Sequence, residues 1–101
     1  MGEMTRAKAV RILRQHNPTA RTDTLVIYTD AVFDYIEATA NIAKHGSIVA
    51  HPRTGQPIDN PYIKVKDAAL KTLKSVSIKN VDALWRTLAE NTPPVDAEDT
   101  P

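Results

Sequence analysis

The sequence predicts a mainly α-helical protein of about four helices, with a long central helix and a short β-ribbon or ordered loop between it and the next one. The first supporting observation is the run from Asp23 to His45, where apolar residues recur at helical spacing without a break. The second is the segment Lys44 to Tyr62, which contains two of the three glycines and three of the seven prolines. Since glycine and proline interrupt regular structure, this segment separates two helical regions.

The first predicted helix extends from Thr5 to Gln15. The Thr5 hydroxyl can accept a hydrogen bond from a free backbone N–H group at the helix start, and Asn17-Pro18 ends the helix. A narrow apolar stripe on this helix is formed by Ala9, Val10 and Leu13. The helix is therefore expected to pack through few residues and to expose a mostly polar surface.

Charge is segregated along the chain, although the formal net charge is only +1. The basic N-terminal segment, residues 1–21, has five arginine and lysine side chains against Glu3. Residues 22–59 are mainly acidic, and residues 60–91 are basic again. Alternating blocks suit a chain that contacts both a polyanion and copies of itself. Ordinary solvated surface is the alternative explanation.

Six cationic side chains are the candidates for contact with the phosphates of a nucleic acid. Five of them form the dense positive block of the N-terminal segment. The sixth lies in a predicted turn, from which a guanidinium can project away from the fold. The predicted nucleic-acid-binding residues are Arg6, Lys8, Arg11, Arg14, Arg21 and Arg53.

The central helix is predicted from Asp23 to His45, with Thr22 or Asp23 as its N-terminal cap. Its polar stripe consists of residues at intervals of three and four, namely Asp30, Asp34, Glu37, Asn41 and Lys44. The rest of its circumference is mostly apolar over about 34 Å, so it must be covered on more than one side. We therefore expect self-association through this surface. The predicted interface residues are Leu25, Tyr28, Val32, Phe33, Ile36 and Trp85.

Turn residues define the segment of residues 46–60. Gly46 can close the central helix in a left-handed conformation. Short apolar runs on both sides of Pro52-Arg-Thr-Gly55 predict two strands joined by a glycine turn, with an ordered loop as the alternative. Asn60 can cap the following helix, where Pro61 fits the first position because its missing N–H is not needed there.

Two further amphipathic helices are predicted at residues 61–76 and 78–91. Ser77 is the expected cap of the second, and Trp85 lies in its apolar stripe, which is typical of a core or interface residue. Residues 1–92 are thus expected to form a single helical domain. The acidic tail, residues 93–101, has little apolar content and is predicted to be disordered.

Several classes of chemistry find no support in the sequence. It has no cysteine, and its three histidines show no metal-ligand spacing. No glycine-rich phosphate loop, nucleophile–base arrangement or paired-carboxylate arrangement stands out. We therefore expect a non-enzymatic protein with neither metal nor cofactor. No apolar run approaches a membrane span, and residues 1–13 are too charged for a secretory signal, so an intracellular protein is expected.

The order of turn residues in the middle of the chain resembles a known family. A long helix ends in a glycine, a short apolar run follows, and Pro-Arg-Thr-Gly precedes an Asn-Pro pair that opens a helix rich in lysine, alanine and leucine. The matching residues are Gly46, Ile48 to Ala50, Pro52 to Gly55, Asn60 and Pro61. This pattern is similar to the small terminase subunits of tailed bacteriophages, over roughly Asp23 to Val76.

The resemblance implies a DNA-recognition subunit of a viral genome-packaging motor, acting in the cytoplasm of the host cell as a phage or prophage protein. Such subunits form ring-shaped homo-oligomers and bind the packaging-initiation region of double-stranded viral DNA. They present this DNA to the large terminase subunit, which holds the ATPase and the nuclease. The resemblance therefore implies that this chain has neither activity.

Two other functions remain open at this point. One is a non-enzymatic oligomeric structural or interaction module, in which the helices serve only protein assembly. The other is a small helix-turn-helix DNA-binding regulator, with residues 17–22 as the turn. In that case Asp23, Asp30 and Asp34 would form a poor surface for a DNA groove.

Overall fold

The computed structural model describes residues 4–91, which form four α-helices and a two-stranded ribbon. The elements in chain order are α1 (Arg6–His16), α2 (Thr22–His45), β1 (Ile48–Ala50), β2 (Pro57–Asp59), α3 (Tyr62–Ser75) and α4 (Asp82–Asn91). The mainly α-helical class, the long central helix and the ribbon between α2 and α3 are confirmed. The predicted disordered tail lies outside the described residues.

Helix α1 begins as predicted. The Thr5 side-chain oxygen accepts a hydrogen bond from the backbone N–H of Lys8 at 3.1 Å, which satisfies one of the free donors of the first turn. The buried residues of α1 are Ala9 and Leu13, and they pack with residues of α2 and α4 in one apolar core. Val10 and Ile12 are partly buried and pack against the same core, so a narrow apolar stripe holds the helix and its opposite side is exposed.

Helix α2 contributes to two packing surfaces. Leu25, Tyr28 and Val32 belong to the apolar core shared with α1 and α4. Ala31 and Ala38 are also buried, and α2 packs against both α1 and α3. A helix with apolar residues on most of its circumference is thus covered on two sides by elements of its own chain.

The predicted cap of α2 is wrong. The residue before the helix is Arg21, whose side chain makes no capping hydrogen bond. The Thr22 hydroxyl accepts a hydrogen bond from Arg14 at 2.8 Å, and Asp23 lies inside the first turn, where its Oδ1 accepts from the N–H of Thr24 at 2.8 Å. The start of α2 is therefore set by Arg14 on the preceding helix, which local sequence rules do not include.

The ribbon is antiparallel, with Val49 paired to Ile58 at its centre. Gly46 ends α2 at φ 87°, and its N–H donates to the carbonyl of Ile42 at 2.7 Å. Gly55 has φ 72° in the turn of the ribbon. Both glycines lie in the left-handed region that other residues rarely adopt, and this explains why the chain can turn back over so few residues.

Asn60 joins the end of α2 to the start of α3. Its Oδ1 accepts from the N–H of Tyr62 at 2.9 Å, and its Nδ2 donates to Asn41 at 3.0 Å and to the carbonyl of Gly46 at 2.9 Å. Pro61 already has helical dihedral angles, so Asn60 and Pro61 have the predicted roles of cap and first helical residue. All the polar atoms of this buried amide side chain find partners.

Helix α4 begins at Asp82 rather than at Ile78. The backbone of Lys79 forms two hydrogen bonds of 2.8 Å with the side chain of Asn17, one as donor and one as acceptor. Asn80 then has φ 55°, which is incompatible with a right-handed helix. These contacts keep the connector between α3 and α4 extended, so Ser77 caps no helix.

The predicted apolar face of α4 is present. Leu84 and Leu88 are buried in the core shared with α1 and α2. Trp85 packs against this core, and its Nε1–H donates to the Tyr28 hydroxyl at 3.1 Å. Its ring also makes an edge contact with Tyr35, with 6.2 Å between the ring centroids. Trp85 is thus a packing residue whose polar atom has a partner.

Candidate nucleic-acid interface

The outward face of α1 presents basic side chains at helical spacing. Lys8, Arg11 and Gln15 are exposed and lie three and four positions apart, so they form one row on the surface. Within residues 4–91 the Arg11 guanidinium has no ion-pair or hydrogen-bond partner. A cation with this exposure can approach a phosphate group without first breaking a contact within the chain.

Arg6, at the start of the same helix, is paired within the chain. Its guanidinium contacts Asp30 at 2.7 Å and lies 4.0 Å from Asp34. The guanidinium carbon also lies 5.0 Å above the centre of the Phe33 ring. These contacts tie α1 to α2, and a phosphate would have to compete with two carboxylates for Arg6. The side chain is still half exposed, so this competition is possible.

Arg14 holds the linker between α1 and α2. Its guanidinium donates to the carbonyls of Asn17, Pro18 and Ala20 and to the Thr22 hydroxyl. Three carbonyls of one short linker thereby converge on a single cation. The geometry gives Arg14 a structural role, since a phosphate contact through the same groups would release the linker.

Arg21 and Asp23 form a surface pair with two hydrogen bonds of 3.1 Å. The hydrogen bond from Arg21 lowers the pKa of Asp23, and the hydrogen bond to Asp23 raises the pKa of Arg21. Both side chains are largely exposed, so solvent screens the pair and it adds little to stability. A phosphate can displace Asp23 at small cost.

Arg53 lies at the exposed tip of the ribbon. The backbone N–H groups of Arg53 and Thr54 point to Nδ1 of His51, at 3.1 and 3.4 Å, and the N–H of Gly55 donates to the His51 carbonyl at 2.8 Å. These bonds order the turn while the Arg53 side chain is exposed. Within residues 4–91 no ion pair to the Arg53 guanidinium is formed.

The six predicted phosphate contacts differ in exposure and in their contacts within the chain. Lys8, Arg11 and Arg53 are exposed, and Arg11 and Arg53 take part in no salt bridge of the described chain. Arg6 and Arg21 form ion pairs, and Arg14 donates several hydrogen bonds to the linker between α1 and α2. Lys8 and Arg11 share the face of α1, whereas Arg53 projects from the ribbon.

A polar cleft at the C-terminal end of α1 was not predicted. It has a volume of about 390 Å³ and lies between the α1–α2 linker and the connector before α4. Its lining includes His16, Thr19, Ser77 and Lys79. The cleft exists because Asn17 binds the backbone of Lys79, a residue 62 positions away. No local pattern in the sequence indicates this contact, although an imidazole, an ammonium group and two hydroxyls lie along the cleft.

The predicted interface residues, five on α2 and Trp85 on α4, are mostly used inside the chain. Leu25, Tyr28 and Val32 are buried in the apolar core, and Phe33, Ile36 and Trp85 pack against it. The exposed large apolar side chains of residues 4–91 are different ones, namely Val26, Ile27, Ile48 and Val65. The sequence pattern indicated the apolar character of α2 but not which side the chain itself would cover.

Comparison with protein families decides the assignment. A family model described as "phage terminase, small subunit" matches residues 5–79, which is well over half of the chain. The chain belongs to this family. The match includes α1, α2, the ribbon, α3 and the connector that binds Asn17. Comparisons with curated proteins and with solved structures gave no significant match.

Membership of the small-terminase family supports a role as a phage DNA-packaging subunit, and members of the family are generally the non-catalytic recognition subunit. Among residues 4–91, no helix is long and apolar enough to cross a membrane. In the same part of the chain, no group of three or more histidine, aspartate and glutamate side chains is arranged to hold a metal ion.

Proposed function

We propose that the chain is the DNA-recognition subunit of a phage terminase, acting as a homo-oligomeric ring in the host cytoplasm. The observation that carries the proposal is the family match over residues 5–79, a range that contains all six candidate phosphate contacts. In this role the chain binds the packaging-initiation region of duplex viral DNA and presents it to the large subunit. The large subunit supplies the ATPase and nuclease activities.

The face of α1 with Lys8 and Arg11 is the proposed primary contact, and Arg53 on the ribbon is the second. Both regions present exposed cations on ordered backbone, so little conformational freedom is lost on binding. Arg6 and Arg21 can add contacts after exchanging a carboxylate for a phosphate. Arg14 supports the interface by holding the linker. If subunits form a ring, each weak contact is repeated and the contacts add by avidity.

Titration of duplex DNA at several salt concentrations tests this proposal. Phosphate contacts release counterions, so the affinity should fall steeply as salt rises. Arg11→Ala should weaken binding, and it should reduce the slope of log K against log salt by about 1 for each phosphate that is no longer neutralised. Thermal unfolding should show unchanged stability, because the Arg11 side chain makes no ion pair within the described chain.

Two further variants make the titration decisive. Lys64→Ala is a matched control, since Lys64 is exposed on α3 and its replacement removes the same charge. Arg14→Ala should mainly lower the melting temperature and affect DNA binding less, because three carbonyls and a hydroxyl lose the hydrogen bonds that Arg14 donates. A larger decrease of affinity in Lys64→Ala than in Arg11→Ala would move the DNA face to α3. No binding by the wild type at low salt would favour a pure interaction module.

A further inference from the structure

A groove between α2 and α3 lies on a different helix pair from the Lys8 and Arg11 face of α1. It has a volume of about 410 Å³ and is lined by residues of both helices, among them Ile27, Asp30 and Asp34 of α2 and Val65, Ala68 and Ala69 of α3. The helix pair presents small residues at its floor, where Ala31 and Ala69 are buried. A floor of alanines leaves room for side chains of another molecule.

The walls of this groove carry apolar surface that the chain leaves uncovered. Ile27 is 50% exposed and Val65 is 37% exposed, and Val26, next to Ile27 in the chain, is 40% exposed. These are three of the four large apolar side chains that are exposed within residues 4–91. Two of them, Ile27 and Val65, line the groove, and exposed apolar surface in a groove between helices is typical of a surface that binds another protein.

The groove also has an excess of negative charge. Asp30 and Asp34 both line it, and both face the single guanidinium of Arg6, at 2.7 and 4.0 Å. One cation is therefore shared between two carboxylates, and each carboxylate side chain is still 53% exposed. A molecule that fits this groove needs apolar surface for Ile27 and Val65 and positive charge for the aspartates.

The chain itself has a surface with the required positive charge. Lys71 and Lys74 are exposed near the end of α3 and lie three positions apart, and they outnumber Asp67, the exposed acid on the same stripe. Asp30 and Asp34 lie four positions apart on α2. Side chains at either spacing are about 5–6 Å apart on a helix, so the two cations match the two carboxylates. The aliphatic parts of lysine can cover apolar surface while the ammonium groups reach the carboxylates.

We propose that the α2–α3 groove binds the Lys71 and Lys74 face of α3 from a second copy of this chain. Two grooves facing each other across a two-fold axis would bring four carboxylates together, which disfavours a symmetric pair. Contact between a groove and a different face is head-to-tail, and head-to-tail contacts close into rings when the rotation allows it. The inference rests on the proposed function, which requires a ring, and it identifies the two faces that meet in it.

Charge exchange between the two faces tests the proposal on the full chain by native mass spectrometry and light scattering. The groove variant is Asp30→Lys with Asp34→Lys, and the lysine-face variant is Lys71→Asp with Lys74→Asp. Each alone places like charges at every contact and should shift the oligomer to monomer. In a mixture the two variants can alternate around a ring with an even number of subunits, and every contact is then complementary again, so the mixture should assemble although neither variant does alone. Lys79→Asp with Arg86→Asp is the control, reversing two exposed charges away from both faces and from the proposed DNA contacts.

The two new lysines of the groove variant would repel Arg6, and the subunit could then fail to fold. A second groove substitution, which adds no positive charge, tests the groove without this repulsion. Ile27→Asn replaces a half-exposed apolar side chain by an uncharged polar one, so it should retain the helical circular dichroism and shift the oligomer toward monomer. An oligomer of wild-type size in the lysine-face variant, or a mixture that stays monomeric, overturns the pairing. A monomeric wild type overturns the ring and this pairing together. DNA titration of the same samples shows separately whether DNA recognition survives.

Discussion

At the C-terminal end of α1, two polar side chains hold three separate parts of the chain together. Arg14 binds the carbonyls of the α1–α2 linker, and Asn17 binds the backbone of Lys79. Asn17 is buried, and its amide group donates and accepts, so both the N–H and the carbonyl of Lys79 find partners in it. An asparagine that ends one helix thereby also determines where α4 begins.

Replacing Asn17 by alanine is expected to destabilise the protein by about 2 kcal/mol. The substitution removes three hydrogen bonds, and it leaves backbone groups of Leu13 and Lys79 without a partner in a partly buried place. Urea unfolding followed by circular dichroism measures this decrease. Gln15→Ala, at an exposed position on the same helix, should change the free energy of unfolding by less than about 0.5 kcal/mol. Equal effects of the two substitutions would show that the Asn17 contacts do not stabilise the fold.

At the scale of elements, the segments defined by neighbouring residues agree with the prediction. Gly46, Gly55, Asn60 and Pro61 act within a few positions of themselves, and the ribbon and the start of α3 follow the rules for turns and caps. The predicted helix starts are wrong where a residue from another element determines them. Arg14 takes the hydroxyl of Thr22 at the start of α2, and Asn17 holds the connector before α4.

The same distinction applies to the candidate site. Sequence reasoning identified which residues are cationic, but their availability depends on partners in other elements. Arg6 meets Asp30 of α2, 24 positions away, and is therefore less available than Arg11, which the sequence does not distinguish from it. The same holds for the apolar surface of α2, whose total extent can be predicted from the spacing of its apolar residues. Which part remains for another molecule depends on where α1, α3 and α4 pack.

Asn80 provides a test of the connector. Its φ of 55° lies in the left-handed region, which asparagine and glycine tolerate better than other residues. Asn80→Ala should therefore destabilise the fold by about 1 kcal/mol, whereas Asn80→Gly should be nearly neutral. Comparing the melting temperatures of the two variants with wild type isolates the backbone effect, because both remove the same side chain. Equal decreases in the two would mean that the side chain, rather than φ, matters here.

At the scale of the whole molecule, the segregated charges of the sequence become separate surfaces. The exposed cations of α1 and the ribbon tip form the proposed DNA contacts, and the aspartates of α2 lie at the groove with α3. Arg6 stands between these surfaces, since it starts on α1 and pairs with Asp30 and Asp34. A chain with balanced net charge can in this way offer one surface to a polyanion and another to a copy of itself.

The contact between Asn17 and Lys79 joins residues 62 positions apart, and this has a consequence for folding kinetics. Helices α2 and α3 are joined by the short ribbon and meet through residues much closer in sequence, such as Asn41 and Asn60. Contacts between close residues form first because they need less loop closure. We therefore expect the α2–α3 pair in the folding transition state, with the Asn17 contact forming after it.

Stopped-flow measurements on Asn17→Ala can show this order of events. Almost all of its decrease in stability should appear as faster unfolding, with a folding rate close to that of wild type. A slowed folding rate with unchanged unfolding would instead place the contact in the nucleus. If the contact forms late, one asparagine controls how long each native molecule persists before it opens, and hence how long α1 and α4 remain closed over the core.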